Sequence, residues 1–205
     1  MKKSLLNWRK KSLLLRRKRN RSYRVNKNFR AGVLTISDKG AKGLRKDESG
    51  EIVASILEEQ GFPIINREII PDDEQQVIDT LLKWVEKDGL ALIVTSGGTG
   101  LSPTDVTPQA MEKIMDYQVP GMAEAMRAAS LKKTPHAMIS RAMVGVRKTC
   151  LIINVPGSPA GAGENLSVVL PALNHALSKL WGDTADCAVQ GVSSFDGTGL
   201  IRPQG

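Results

Sequence analysis

Apolar residues recur along the chain with two alternating periods, one typical of strands and one typical of helices. Apolar and β-branched residues at 31–37 predict a first strand, and apolar positions three or four residues apart at 52–57 predict a helix that ends near Gly61. Residues 64–70 predict a second strand. The unbroken apolar run at 90–95 predicts a central strand that is covered on both faces of a sheet.

Helical spacing returns after the second strand and again after the third. A stripe of apolar residues at 77–85 predicts a helix, with Asp72 as its N-terminal cap. Prolines in the first turn open two more predicted helices, at 108–117 and at 120–131. The apolar stripe consists of Val77, Ile78, Leu81, Leu82 and Val85.

A predicted hairpin and a long helix complete the pattern. The hairpin strands are predicted at 143–147 and 151–155, and the helix from about 164 to 181. Pro171 lies inside that helix and predicts a kink or a broken start, because proline lacks the backbone donor that a helix needs. Strands that alternate with helices predict an α/β fold in which a mostly parallel sheet has helices on both faces.

Charge is distributed unevenly along the chain. Residues 1–30 hold 13 of the 29 Lys and Arg residues and no acidic residue, so the remainder has 16 basic against 21 acidic side chains and a net charge of −5. We therefore predict a basic, disordered leader at 1–30, a folded domain at 31–183 and a poorly ordered tail at 184–205. Nucleic-acid binding is not predicted for the domain, since the basic character belongs to the leader.

The leader leaves several interpretations open. A solvated tail, a start codon assigned too far upstream, an organellar transit peptide and an arm that binds polyanions are all consistent with its composition. A secretory signal is not, because the longest apolar run, at 13–15, is shorter than the roughly 7 to 15 residues that such a signal needs.

The overall composition predicts a cytoplasmic protein. Hydrophobic residues make up 41% and charged residues 24% of the chain, which is typical of soluble globular proteins. The sequence contains no apolar run near the roughly 18 residues that a membrane helix needs. Cys150 and Cys187 are too far apart for a CxxC metal site and are predicted to be reduced, buried thiols.

Four polar or glycine-rich segments follow predicted strands. Ligands of parallel sheets bind beyond the carboxyl ends of the strands, so these segments are predicted to converge on one crevice. Each segment taken alone is also consistent with a turn or a helix cap. The segments are Ser37 with Asp38, Pro71 to Asp73, Ser96 to Gly100, and Asn154 to Pro159.

Residues 96–100 and three aspartates predict phosphate chemistry. The glycines of 96–100 let backbone amides approach phosphate oxygens, although no Gly-Lys-Ser/Thr follows to make a Walker A loop. Asp38, Asp72 and Asp105 are predicted to face the crevice, where carboxylates hold the Mg²⁺ that phosphoryl and nucleotidyl transfer require. Capping of a helix by Asp105 or Thr107 is the alternative interpretation.

Ser140 and Arg141 supply a hydroxyl and a planar cation that suit a phosphate, with a surface charge as the alternative for Arg141. His136 and His175 are the only histidines in the sequence, so a histidine-based triad or a zinc site is not favoured.

Together these motifs resemble the MogA/MoaB family of molybdopterin adenylyltransferases over residues 31–183. The matching segments occur in the family's order. They are Thr35 to Asp38, Asp47 to Gly50, Ile70 to Asp73, Ser96 to Gly100, Asp105 to Pro108, Pro120 and Gly121 with Glu124, Ser140 with Arg141, and Asn154 to Pro159.

The resemblance implies a three-layer α/β/α fold assembled as a homotrimer. It implies transfer of AMP from ATP to the terminal phosphate of molybdopterin with release of pyrophosphate, and a partner that inserts molybdenum. Asp72 and Asp105 match the catalytic aspartates and are the predicted Mg²⁺ ligands. The implied substrate- and nucleotide-binding residues are Ser37, Asp38, Ser96, Gly97, Gly98, Thr99, Gly100, Thr107, Pro108, Glu124, Ser140, Arg141, Asn154, Pro156, Gly157 and Ser158.

The chain differs from many members of the family at Ala160, where those carry a lysine after the Gly-Ser-Pro motif. Retention of Asp72 and Asp105 favours the enzyme over its alternative, a non-catalytic MoaB-like protein that binds pterin or nucleotide. A nucleic-acid-binding protein that uses residues 1–30 is a third interpretation.

Overall fold

The computed structural model describes residues 29–184. The predictions for most of the leader (1–28), for nearly all of the tail (185–205) and for Cys187 lie outside these residues. Within the described chain, a central six-stranded sheet lies between two layers of helices. The predicted three-layer α/β fold is therefore confirmed.

Strands and helices alternate through most of the described chain. The strands are β1 (Ala31–Ile36), β2 (Ile64–Ile70), β3 (Leu92–Ser96), β4 (Tyr117–Gln118), β5 (Val144–Arg147) and β6 (Cys150–Val155). The α-helices are α1 (Asp38–Ala41), α2 (Glu48–Gln60), α3 (Glu74–Glu86), α4 (Thr107–Ile114), α5 (Pro120–Leu131) and α6 (Pro159–Leu180), and a 3₁₀ helix spans Pro135–Ile139.

The order of the strands brings four loops to one edge of the sheet. The order is β2-β1-β3-β6-β5-β4, and the pairs between β2, β1, β3 and β6 are all parallel. The pairs β6–β5 and β5–β4 are antiparallel. The carboxyl ends of the four parallel strands therefore meet at the edge where ligands bind in folds of this kind.

Side-chain alternation along the strands divides the apolar core between the two faces of the sheet. Leu92 and Val94 of β3 pack with α2, α5 and α6, whereas Ile93 packs with α3 and α4. All three side chains are fully buried, so the predicted central strand is covered on both faces. Each face thus has its own helical layer and its own core cluster.

The cap of α3 differs from the predicted one. The carboxylate of Asp73, rather than that of Asp72, accepts a hydrogen bond from the amide of Gln76 at 2.8 Å. Asp73 also has the extended backbone typical of an N-cap residue, with φ −119°. The Asp72 side chain turns instead toward Asp38.

The helix predicted at 108–117 is shorter than expected. It ends at Ile114, and Met115 is already extended. Tyr117, the last residue of the predicted helix, pairs with Val146 in the antiparallel edge of the sheet. Pairing with a neighbouring strand, which local sequence does not encode, determines this boundary.

The long helix predicted from about residue 164 begins earlier, at Pro159. Ser158 caps it, since its hydroxyl accepts a hydrogen bond from the amide of Gly161 at 3.3 Å. The helix continues through Pro171 to Leu180 as one element, so the predicted broken start is wrong.

Both ends of the described chain are attached to the domain. Phe29 is only 1% exposed, and its ring packs edge-on against Trp181 with the centroids 5.7 Å apart. The Arg30 guanidinium donates to the carbonyl of Asp88 at 2.6 Å. Phe29 and Arg30, which the charge pattern assigns to the leader, therefore belong to the domain.

Two further predictions concern burial and membranes. Cys150 is a free, buried thiol, as predicted, and its burial raises its pKa. Among residues 29–184, no helix has the length and apolar character needed to span a bilayer.

Candidate active site

A cleft of about 410 Å³ lies at the carboxyl ends of the parallel strands. Each of the four segments predicted to converge contributes to its wall, because β1, β2, β3 and β6 all end at this edge. The predicted site residues that line the cleft are Ser37, Asp72, Ser96, Gly97, Gly98, Thr99, Gly100, Asp105, Gly157 and Ser158.

Residues 96–100, called the glycine loop below, follow β3 near the centre of the sheet. Gly97 (φ +113°) and Gly98 (φ +61°) have backbone conformations that L-residues rarely adopt. A Cβ atom at Gly97 would collide with the carbonyl oxygen of Ile36, and one at Gly98 would collide with the hydroxyl of Thr107. Both positions therefore require glycine for conformation and for space.

Two buried side chains hold the carbonyl of Gly97. Thr107 Oγ1 and Asn154 Nδ2 each donate to it at 3.1 Å, and Asn154 Nδ2 also donates to the hydroxyl of Thr95 at 3.0 Å. Thr107 and Asn154 are fully buried, and neither lines the cleft. These two predicted site residues thus hold the glycine loop from outside the cleft wall.

Arg141 holds three other carbonyls in the same region. Its backbone amide donates to Thr99 at 2.8 Å, its Nε donates to Gly100 at 2.8 Å, and its Nη2 donates to Asp105. Arg141 does not line the cleft. Its contacts connect the glycine loop to the segment that carries Asp105.

Asp38 and Asp72 hold each other across the ends of β1 and β2. Asp72 Oδ2 accepts a hydrogen bond from the Asp38 amide at 2.8 Å, and Asp38 Oδ1 accepts one from the Asp72 amide at 3.2 Å. Partial burial raises the pKa of the Asp72 carboxyl, and the negative charges of Asp38 and Asp105 raise it further, against the opposing hydrogen bond from the Asp38 amide. Asp72 therefore lies close enough to both carboxylates for their charges to act on it.

Asp105 lies beside the glycine loop. Its Oδ2 accepts a hydrogen bond from the amide of Ser102 at 2.9 Å, and a Cβ atom at Gly100 would lie 2.8 Å from the same oxygen. The hydrogen bonds within the described chain use only the Oδ2 atoms of Asp72 and Asp105, and leave both Oδ1 atoms available.

These two carboxylates fit one mode of magnesium binding. Mg²⁺ is usually held by one or two carboxylates together with phosphate oxygens and water. Among residues 29–184, no group of three or more His, Cys, Asp or Glu side chains could hold a metal ion. Asp72 and Asp105 lie in the same cleft wall and match the number of carboxylates that such a magnesium site uses.

The segment 45–49, at the start of α2, also lines the cleft, and the sequence reasoning misses Arg45 and Lys46, which directly precede the matched segment 47–50. Asp47 has a structural role there: it accepts hydrogen bonds from Thr35 Oγ1 at 3.0 Å and from the Gly50 amide at 2.8 Å, and it pairs with Arg67 at 3.2 Å. Its side chain is only 5% exposed. Asp47 thus anchors the start of α2 to β1 and β2.

Arg45 and Lys46 are the basic residues of that segment. Lys46 pairs with Glu51 at 3.3 Å, whereas exposed Arg45 has no ion pair or hydrogen bond with another residue of 29–184. The only signal for them in the sequence is their position directly before the matched segment 47–50, in the loop that follows β1.

Other predicted binding residues lie outside the cleft wall. Glu124 is exposed on α5, and the Ser140 hydroxyl accepts a hydrogen bond from the amide two residues later at 3.3 Å. Pro108 is buried in the first turn of α4, and the carbonyl of Pro156 accepts a hydrogen bond from Ser96 Oγ at 3.2 Å. Their roles in binding stay predictions.

The fold and the cleft define the class of protein. It is an α/β protein whose cleft lies at the carboxyl ends of a mostly parallel sheet, between a glycine-rich loop and two aspartates. Within that class, the chain belongs to the family described as "Probable molybdopterin binding domain", whose model matches residues 32–175. The match extends from β1 into α6 and includes every segment that lines the cleft.

Several known proteins are similar over most of this chain. Molybdopterin adenylyltransferase from Helicobacter pylori is 35% identical over 166 residues, which cover 80% of this chain and 94% of that protein. Gephyrin from Dictyostelium discoideum is 37% identical over 156 residues, which cover 71% of this chain and 22% of gephyrin. The crystal structure of the molybdopterin biosynthesis enzyme MoaB from Thermus thermophilus has a TM-score of 0.71 and 46% identity, covering 76% of this chain and 98% of that one. The resemblance inferred from the motifs is thus confirmed.

Proposed function

We propose that this protein is a molybdopterin adenylyltransferase, which transfers AMP from ATP to the terminal phosphate of molybdopterin and releases pyrophosphate. The observation that carries the proposal is the meeting of Asp72, Asp105 and the glycine loop in one cleft. The Helicobacter pylori relative, matched over 94% of its length, bears the name of this activity.

The chemistry follows from the substrates. An oxygen of the molybdopterin phosphate attacks the α-phosphorus of ATP, and the bond from that phosphorus to the pyrophosphate oxygen breaks. The attacking group belongs to the substrate, so the protein has to align the two phosphates and stabilise the negative charge that develops. The free amides of the glycine loop suit that task, because fixed backbone donors need no reorganisation during the reaction.

Asp72 and Asp105 would hold Mg²⁺ in this proposal. When bound, the ion neutralises charge on the phosphate oxygens. The available Oδ1 atoms of both residues support this role. The reciprocal contact with Asp38 keeps the Asp72 carboxylate oriented before any ligand binds.

Arg45 would contact one of the anionic substrates. The cleft wall carries four acidic residues, Asp47, Glu48, Asp72 and Asp105, but only two basic ones, Arg45 and Lys46. Both substrates are anionic, and Lys46 is already paired with Glu51. Arg45 is therefore the side chain of the wall that is available for a phosphate.

We also propose a cytoplasmic homotrimer that delivers adenylylated molybdopterin to a protein that inserts molybdenum. Exposed apolar side chains at Leu131, Met138 and Ile139, which are 43%, 70% and 51% exposed, support an interface between subunits. The "Molybdenum cofactor biosynthesis bifunctional protein" of Chlorobaculum tepidum, 34% identical over 154 residues that cover 49% of that protein, supports a functional connection to a second activity.

The proposal is tested by supplying ATP, Mg²⁺ and molybdopterin to the purified full-length protein. Adenylylated molybdopterin and pyrophosphate should form in equal amounts, and removal of Mg²⁺ should stop the reaction. Binding of both ligands without turnover would instead support the non-catalytic alternative. The oligomeric state is measured separately by sedimentation.

A further inference from the structure

Residues outside the cleft hold three carbonyl groups of the glycine loop. The side chains of Thr107 and Asn154 donate to the carbonyl of Gly97. Arg141 donates to the carbonyl of Thr99 through its backbone amide and to that of Gly100 through Nε. Neither Arg141 nor the two buried residues line the cleft. The three carbonyls of the loop are thus occupied by residues of the protein that lie outside the cleft wall.

The direction of each carbonyl fixes the direction of an amide. All described peptide bonds are trans, and in a trans peptide the carbonyl and the amide of the same unit point in opposite directions. The amides that share units with these three carbonyls belong to Gly98, Gly100 and Leu101. None of them donates a hydrogen bond to another residue of 29–184. The glycine loop and the residue that follows it therefore present three unpaired donors on the side opposite to the groups that hold the carbonyls.

We propose that Arg141 is a positioning residue for the ATP phosphates, an inference that rests on the proposed function. The backbone amide of Arg141 holds the carbonyl of Thr99 and its Nε holds that of Gly100, and these two contacts aim the amides of Gly100 and Leu101 at the phosphates. Substitution of Arg141 removes the side-chain contact with Gly100 and leaves the backbone contact with Thr99. By holding the carbonyl of Asp105, Arg141 keeps that carboxylate at a fixed distance from the same amides. Arg141 itself does not touch the substrate.

The guanidinium suits this task and an ammonium does not. Nε and Nη2 of Arg141 are fixed in one plane and donate to carbonyls of two residues that lie five positions apart, Gly100 and Asp105. Lysine has a single nitrogen on a flexible chain, so it would retain the charge without holding both carbonyls in this geometry. A residue that binds a phosphate directly by charge would tolerate lysine better.

The test compares full-length wild type with Arg141→Ala and Arg141→Lys. Arg127→Ala is the matched control, because Arg127 Nη1 also donates to a backbone carbonyl, that of Ala142 at 2.6 Å, but outside the glycine loop. ATP is titrated without molybdopterin, and molybdopterin without ATP, by calorimetry. Thermal melts of all variants measure any general loss of stability.

We expect Arg141→Ala to weaken ATP binding by about ten- to a hundredfold and to leave molybdopterin binding unchanged, because we assign these donors to the phosphates of ATP and not to the phosphate of molybdopterin. Arg141→Lys should recover little of the loss. Arg127→Ala should bind both ligands as wild type does. Thr107→Val, which removes the hydroxyl that holds Gly97 but keeps the side-chain shape, should also weaken ATP binding.

The opposite pattern would overturn the inference. Wild-type affinity for ATP in both Arg141→Lys and Thr107→Val, or a loss confined to molybdopterin, would show that the loop amides do not depend on these side chains. If Arg141→Ala does not fold, Arg141→Lys and Thr107→Val still decide the question. Failure of the wild type to bind ATP or to form adenylylated molybdopterin would instead refute the proposed function, so the two failures are distinguishable.

Discussion

Asp72→Asn separates the structural contact of Asp72 from its proposed role in transfer. Asparagine keeps the shape of the side chain, and its carbonyl oxygen can still accept the Asp38 amide that Asp72 Oδ2 accepts at 2.8 Å. Exchange of a charged acceptor for a neutral one should cost at most about 1 kcal/mol of unfolding free energy. Relief of repulsion from Asp38 and Asp105 offsets part of that cost, so the variant should fold.

The raised pKa of Asp72 determines how this offset depends on pH. A carboxyl whose pKa is higher in the folded chain binds its proton more tightly there, so its contribution to stability falls as pH rises above its ordinary pKa of 3.8. Asp72→Asn should therefore be more stable, relative to wild type, at pH 7 than below pH 3.8. Its free energy of unfolding minus that of wild type should be larger at pH 7. Urea titrations at both pH values measure the difference.

Activity should respond far more strongly than stability. Loss of a carboxylate that holds Mg²⁺ should reduce AMP transfer about a thousandfold, which corresponds to roughly 4 kcal/mol of barrier. Asp73→Asn is the matched control, because asparagine caps helices as well as aspartate does and should preserve the contact with Gln76. Near-normal transfer by Asp72→Asn, or an equal loss in Asp73→Asn, would refute the assignment of Asp72 to the reaction.

Three other perturbations test the cleft and the domain boundary. Gly98→Ala should weaken ATP binding at least tenfold and destabilise the fold by about 1–3 kcal/mol, because the new Cβ meets the Thr107 hydroxyl at a positive φ; calorimetry and thermal melts measure the two effects. Arg45→Ala should raise KM for one anionic substrate by about three- to tenfold. Lys132 is also exposed, and Lys132→Ala should leave KM unchanged. A KM in Arg45→Ala equal to that in Lys132→Ala would contradict the phosphate contact. A chain that starts at residue 29 should keep the melting temperature of the full chain, whereas one that starts at 31 should melt several degrees lower, since burial of Phe29 is lost; two equal melting temperatures would show that Phe29 is dispensable.

Local signals account for the parts of the fold that the sequence predicts well. β2 and α5 have the predicted bounds, because Pro71 ends the one and Pro120 opens the other. The convergence of loops at the carboxyl ends of strands also follows from the alternation of strands and helices alone. These features depend on residues that are near one another in the chain.

The remainder depends on contacts between residues that are distant in the chain. Asn154 meets the Gly97 carbonyl across 57 positions, and Arg141 meets that of Gly100 across 41. Residue type and spacing indicate that these side chains belong near a phosphate. Only the folded structure reveals that they donate to carbonyls of the glycine loop from outside the cleft wall. The choice between Asp72 and Asp73 as helix cap likewise depends on backbone angles that adjacent aspartates do not distinguish by sequence.

The contact between Phe29 and Trp181 has a consequence for how such a domain can be joined to others. β1 begins at the edge of the sheet opposite the cleft, about 20 Å away for a six-residue strand, and α6 returns the chain to that same edge. Entry and exit of the polypeptide therefore lie side by side, with the two rings 5.7 Å apart. A genetic fusion at either point would leave the cleft open to small ligands, an arrangement compatible with the related segment forming 22% of the longer chain of Dictyostelium gephyrin.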